Sequence, residues 1–88
     1  MLRTIVNNQE IEVLFKHYVK DDPAPHTECA IVTPQKTYRG SAYCHNGDQY
    51  NRAVGRKIAL ARALYMAYPD NKDARTAVWS EYFAKEQA

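Results

Sequence analysis

Between Ile11 and Lys20 the chain alternates between two sets of side chains. Ile11, Val13, Phe15, His17 and Val19 form one set; Glu12, Leu14, Lys16, Tyr18 and Lys20 form the other. This period of two predicts a long strand with the first set turned toward a core. The patch RTIV at 3–6 predicts a short strand ahead of it, with NNQE as the turn between them. DDPAPH, residues 21–26, carries two prolines and reads as a loop. TECAIVT at 27–33 predicts a third strand, PQ at 34–35 a tight connection, and KTYRGSAYC at 36–44 a fourth strand. Links this short favour antiparallel neighbours, because parallel strands need long crossovers.

After HNGD at 45–48 the period lengthens, which predicts a helix from about Asp48 to Ala67 with Asn46 or Asp48 as its N-cap. On a wheel of 3.6 residues per turn, Tyr50, Val54, Ile58, Ala61, Leu64, Tyr65 and Tyr68 fall in one broad apolar stripe. Roughly opposite lies a second face of small residues, Gly55, Ala59, Ala63 and Ala67. Small residues admit another backbone at close range, so the helix is expected to lie between the sheet and a second helix. The alternative is that alanine serves there only as a good helix former. Pro69 ends this helix, and Asp70 is placed to cap the next, with Asp73 in its first turn. In ARTAVWSEYFAKE the core anchors are Ala74, Val78, Trp79, Tyr82 and Phe83. The expected architecture is α+β: an antiparallel sheet of three to four strands followed by two C-terminal helices.

Eighty-eight residues suffice for one domain, 1–88, and a chain of that size hides only about 60% of its unfolded surface. Apolar and charged fractions of 45% and 25% are those of a globular domain. Twelve basic residues face ten acidic ones, a net charge of +2 that permits nucleic-acid binding without arguing for it. No run approaches the roughly eighteen apolar residues a membrane span needs, and MLRTIVNNQE has no signal-peptide core. The chain therefore reads as cytoplasmic, with no membrane partner. Cys29 and Cys44 are too few for a disulfide framework and are expected to be buried thiols.

The cations are the first candidates for function. Arg52 and Arg56 sit one turn apart near the start of the first helix, where positive charge opposes the macrodipole. A bound anion or carboxylate would favour them there; the alternative is pairing with Asp48 or Gln49, or plain solvation. Lys57 projects within the apolar stripe and either snorkels or meets Glu12 or Glu28, while Arg62 falls at its flank. On the sheet, Lys16, Tyr18 and Lys20 share the face away from the helix. Arg39, Ser41, Tyr43 and His45 join them if Tyr38 and Cys44 point inward. Interleaved Tyr, Lys and Arg on a sheet suit single-stranded nucleic acid and suit a protein partner equally well.

Catalytic and metal chemistry is weakly signalled. His26, Cys29, Cys44 and His45 have zinc-ligand character but poor spacing, since adjacent strand residues point to opposite faces. Cys44 with His17 could form a nucleophile pair on paper, without a third residue to orient it. Ser41 and Ser80 stand in no nucleophile-elbow context, and no glycine-rich phosphate loop is present. No enzyme activity and no cofactor are expected.

FKHYV at 15–19, TECAI at 27–31, SAYCHNGDQYNRAVGRKIALARAL at 41–64 and R-x-x-x-W-x-x-Y-F at 75–83 together resemble a type of small phage- and prophage-encoded protein. Its members carry a cysteine-containing strand, an acidic–aromatic turn and a GRKxALxRAL helix. The resemblance covers most of the chain after residue 10 and is most specific at GRKIALARAL. The chain departs from the pattern at HNGDQY, where an S-P-x-D-x-F turn is usual; Asp48 and Tyr50 are the matching positions. What the resemblance implies is an accessory protein acting stoichiometrically in the host cell, in the manner of anti-CRISPR proteins and other inhibitors of host defence. The partner would be a host protein or ribonucleoprotein effector. The near-balanced charge speaks against DNA mimicry, which calls for a strongly acidic surface. The residues expected at the contact are Arg52, Arg56 and Arg62 on the helix and Tyr18, Arg39 and Tyr43 on the sheet. A nucleic-acid-binding module and a homodimer formed through the small-residue helix face are the competing readings.

Overall fold

The computed structural model describes residues 2–18, 26–43 and 52–86. Four strands, β1 (Leu2–Val6), β2 (Gln9–Tyr18), β3 (His26–Val32) and β4 (Thr37–Tyr43), form one antiparallel sheet in chain order. Two helices follow, α1 (Arg52–Ala67) and α2 (Lys72–Glu86), so the fold is α+β as the sequence predicts. No helix among the described residues is long and apolar enough to cross a membrane.

The turns follow from local chemistry. Asn7 and Asn8 both adopt positive φ, 53° and 64°, the pair of left-handed residues that a two-residue hairpin of right-handed twist requires. Asparagine tolerates that region better than most residues. Gln9 and Glu10 therefore belong to β2 and pair with Val6 and Ile5, where the sequence suggests a four-residue turn. Between β3 and β4 the Thr33 hydroxyl closes the loop. It donates to the Lys36 carbonyl at 2.7 Å and accepts from the Lys36 amide at 3.0 Å.

The core lies between one sheet face and both helices. Leu2, Val6, Ile11, Val13, Cys29, Ile31 and Ala42 meet Ala59, Leu60, Ala63 and Leu64 of α1 and Ala74, Val78 and Tyr82 of α2. α1 crosses β3 and β4, while α2 lies over β1. Tyr82 reaches Phe15 of β2 with ring centroids 5.9 Å apart.

The orientation of α1 corrects the sequence reading. Gly55, Ala59 and Ala63 of the small-residue face are buried, whereas Val54, Ile58 and Tyr65 of the expected core stripe are 51%, 41% and 61% exposed. Among the described members of that stripe, Leu64 alone is fully buried. The cause is a close approach of two backbones. A Cβ on Gly40 of β4 would lie 2.4 Å from the Ala63 nitrogen and 2.5 Å from the Ala59 carbonyl oxygen. On the next strand, a Cβ on Gly55 would lie 2.6 Å from the Thr27 hydroxyl. The helix can settle so low only on the side that carries glycine and alanine. α2 sits beside α1 rather than on its far side, so the expected sandwich of α1 between sheet and helix does not form, and the small-residue face is closed to a second copy.

Beneath Gly55 the one polar side chain among the buried described residues, Thr27, shares a 2.9 Å hydrogen bond with His17 Nδ1. A buried hydroxyl without a partner would cost roughly 1–3 kcal/mol, so this pair makes the position tolerable.

The second helix starts at Asn71, whose Oδ1 accepts the Ala74 amide at 3.0 Å. Asn71 is therefore the cap in place of Asp70, since it stands three residues before the amide that needs an acceptor. Asp73 occupies the first turn as expected. Arg75 then ties the helices together, donating from Nη1 to the carbonyls of Tyr68 at 2.5 Å and Pro69 at 3.1 Å. Its guanidinium also lies 4.6 Å from the Tyr65 ring centroid. A cation at these carbonyls complements the negative end of α1. Of the α2 anchors, Ala74, Val78 and Tyr82 are buried, Trp79 is half-buried, and Phe83 stays exposed. The expected caps Asn46 and Asp48, and Tyr50, lie outside the described residues.

Two predictions test this packing. Gly40→Ala places a methyl group against helix backbone that cannot rotate away, so it should cost about 3 kcal/mol. A thermal melt followed by circular dichroism should then show a midpoint lower by roughly 12 °C or more. Cys29 is buried, and that burial, with Glu28 as a lesser cause, pushes its thiol up from 9.0 to about 12. Because the folded state holds the proton more tightly, the contribution is complete below pH 9.0 and is lost as pH rises through about 12. In a Cys44→Ser background the native protein should not react with a thiol reagent at pH 8 until denaturant is added.

Candidate functional site

The face of the sheet turned away from the helices carries the candidate site. Register fixes its membership, because residues opposite one another share a face. Tyr18 of β2 stands opposite His26 of β3, which stands opposite Tyr43 of β4. Lys16, Glu28 and Ser41 form the next row, and Leu14, Ala30 and Arg39 the one after. Arg3 and Ile5 of β1 continue the face beside Glu12 and Glu10.

The first row is a stack of three rings. Tyr18 and His26 lie 4.5 Å apart, with planes inclined by 10°. His26 and Tyr43 lie 4.7 Å apart at 28°. These spacings match the distance between neighbouring strands, so the rings stand on edge across the sheet like books on a shelf. Lys16 adds its ammonium 4.9 Å from the Tyr18 centroid. The facing sides of the three rings thus cover one another, and Tyr43, at the end of the row, is exposed.

The cations on this face are matched by carboxylates. Arg39 Nη1 donates to Glu28 Oε1 at 3.1 Å, and Arg3 Nε lies 3.7 Å from Glu12 Oε1. Across the described face, Arg3, Lys16 and Arg39 balance Glu10, Glu12 and Glu28. A balanced surface does not track a phosphate backbone, which needs a surplus of positive charge.

Of the six residues expected at a contact, the described ones do not all share a face. Tyr18, Arg39 and Tyr43 come together on the sheet. Arg62 instead lies at the rim of β4, donating from Nη1 to the Ser41 carbonyl at 2.6 Å. It ties α1 to an edge strand and so has a structural role. Arg56 is half-buried, and on the helical wheel it falls beside Ala63, toward the sheet. Arg52 opens α1, and its side chain lies outside the described residues. Lys57 is exposed and reaches toward α2, its ammonium 5.9 Å from the Phe83 centroid; Glu12 and Glu28, suggested for it, are paired on the other side of the sheet.

The proposed metal and nucleophile groupings separate as well. His26 lies in the outer stack and Cys29 in the core, because three steps along a strand reverse the face. They cannot share an ion. Among the described residues no three His, Cys, Asp or Glu side chains converge. His17 Nδ1 engages Thr27. Cys44, His45 and Lys20 lie outside the described residues.

Sequence reading missed His26 as the centre of the site. The DDPAPH segment reads as a loop through residue 26, whereas β3 begins at His26 and register sets that residue opposite Tyr18.

No family model matches the chain, and no curated protein or solved structure is significantly similar to it.

The two arginines of the sheet region should respond differently to mutation. Arg62→Ala leaves an edge carbonyl without its partner and should lower stability by about 1–2 kcal/mol. Arg39→Ala removes an exposed ion pair and should cost less than about 0.5 kcal/mol. Urea denaturation of both variants measures the difference.

Proposed function

We propose that the protein is a non-enzymatic inhibitor that covers a functional surface of a host defence effector, such as a CRISPR–Cas complex, with the outer face of its sheet. The stacked row Tyr18–His26–Tyr43 carries this reading. Three rings already held against one another lose little freedom on binding, which lowers the entropic cost of association. Tyrosine edges offer apolar area together with a hydroxyl, the combination favoured at protein interfaces. Tyr43 is the exposed end of the row, and Lys16 beside Tyr18 extends the same patch.

Two features favour a protein or ribonucleoprotein partner over bare nucleic acid. Base stacking needs open ring faces, and here the interior faces are occupied by neighbouring rings. Phosphate contact needs unpaired cations, and both arginines of the face are paired. The phage setting comes from the resemblance of GRKIALARAL and its flanking segments.

The test is a defence assay in cells carrying an active CRISPR–Cas system, with the purified effector used in parallel. Wild-type protein should restore phage plaquing and form a complex that survives both nuclease and high salt. Tyr18→Ala with Tyr43→Ala should weaken that complex by roughly a hundredfold. Tyr65→Ala, on the helical side, should leave it intact. Absence of a complex with any effector would refute the proposal. Recovery of nucleic acid alone, lost at high salt, would transfer the function to nucleic-acid binding.

A further inference from the structure

The two edges of the sheet are finished differently. In a two-residue hairpin the flanking pair, Val6 and Gln9, is hydrogen-bonded, and bonded and non-bonded pairs then alternate. Thr4 and Leu2 therefore also bond to β2, while the amides and carbonyls of Arg3 and Ile5 point outward. The same alternation carried across the sheet sends the Ser41 carbonyl outward from β4. There the Arg62 guanidinium takes it at 2.6 Å, which checks the parity independently. At β1, no hydrogen bond among the described residues reaches the outward groups of Arg3 or Ile5.

This open edge is self-complementary. We infer that β1 pairs antiparallel with β1 of a second copy, about a two-fold axis at Thr4, to give a continuous eight-stranded sheet. In that register Arg3 stands opposite Ile5 of the second copy, and these are the two residues whose backbone groups point outward. Leu2 stands opposite Val6 on the core side, so apolar meets apolar. On the outer face, Ile5, 69% exposed in the single chain, is covered by the aliphatic stem of Arg3. A shift by one residue would set outer-face positions against core-face positions and lose both matches.

The helical layer leaves room for this. The flank of α2 nearer α1 carries Arg75 and Phe83, which reach Tyr65 and Lys57. On the opposite flank, toward the β1 edge, the wheel places Ala77 and Ala84, one heptad apart, with Glu81 exposed beside them. Small residues there let two copies of α2 approach over the joined strands. The inference is independent of the partner assigned to the outer face, and it would bring two Tyr18–His26–Tyr43 rows onto one sheet.

Sedimentation velocity across a dilution series, on the full chain, tests it. Wild type should show a concentration-dependent dimer. Ile5→Lys sets a lysine against Arg3 of the second copy twice over, and should weaken the dimer at least about tenfold. Within its own chain the new lysine faces Glu10, so the circular dichroism spectrum should not change. Register is read by cross-linking in the Cys44→Ser background. Thr4→Cys lies on the axis and should form a disulfide-linked dimer on oxidation. Arg3→Cys should not, because the two copies of residue 3 lie farther apart than the roughly 7 Å limit for a disulfide. A wild-type monomer at every concentration overturns the inference. So does a dimer that tolerates Ile5→Lys, or one that Thr4→Cys fails to link.

Discussion

The contact between Gly40 and the backbone of α1 determines how the rest of the molecule is arranged. With no side chain at that point, the helix comes down until its Ala59 carbonyl and Ala63 amide nearly touch β4. Everything that follows depends on that depth. Ala59, Leu60, Ala63 and Leu64 become fully buried. Arg62, just to the side, reaches over the rim and takes the outward carbonyl of Ser41. Gly55 comes to rest on Thr27, which the His17 ring supplies with its hydrogen bond.

A helix held so low on β3 and β4 leaves β1 and β2 to be covered by something else. α2 does this through Ala74, Val78 and Tyr82, and Arg75 fixes its angle by binding the carbonyls at the end of α1. Both helices are thereby committed to one side of the sheet. Among the described residues the other side carries no helix, and its side chains contact one another. The ring stack and the Arg39–Glu28 and Arg3–Glu12 pairs are what such a face makes of its own residues. That face is charge-balanced and carries the tyrosine row, the two features on which the proposed protein partner rests.

Alternation along β2, the asparagine pair at 7–8, the prolines of the β2–β3 loop and the change of period near residue 50 were sufficient for the element order and the α+β class. These are local signals, set by backbone sterics and by the repeat of a strand or a helix. Placing Tyr18, Arg39 and Tyr43 on one face also followed from the sequence, because strand parity is strict once the links are short. The buried face of α1 did not. Its wheel offers two arcs, one large and apolar and one small, and hydrophobicity alone favours the arc with valine, isoleucine and tyrosine. Only the meeting of Gly40 with Ala59 and Ala63, residues about twenty positions apart, made the small arc the better fit, since close backbone packing there excluded the bulkier side.

The same distinction separates the candidate residues. Parity places a strand residue on a face from sequence, but a helical arginine takes its role from what the fold brings within reach. Arg62 became an edge tie and Arg75 a helix clamp because carbonyls of Ser41 and Tyr68 ended up beside them. His26 joined the site through cross-strand register, which loop length decides. Periodicity and turn chemistry thus determined which elements form and which strand residues share a face. The depth of helix packing, a contact between distant backbones, decided which helix face is core and which cations remain at the surface.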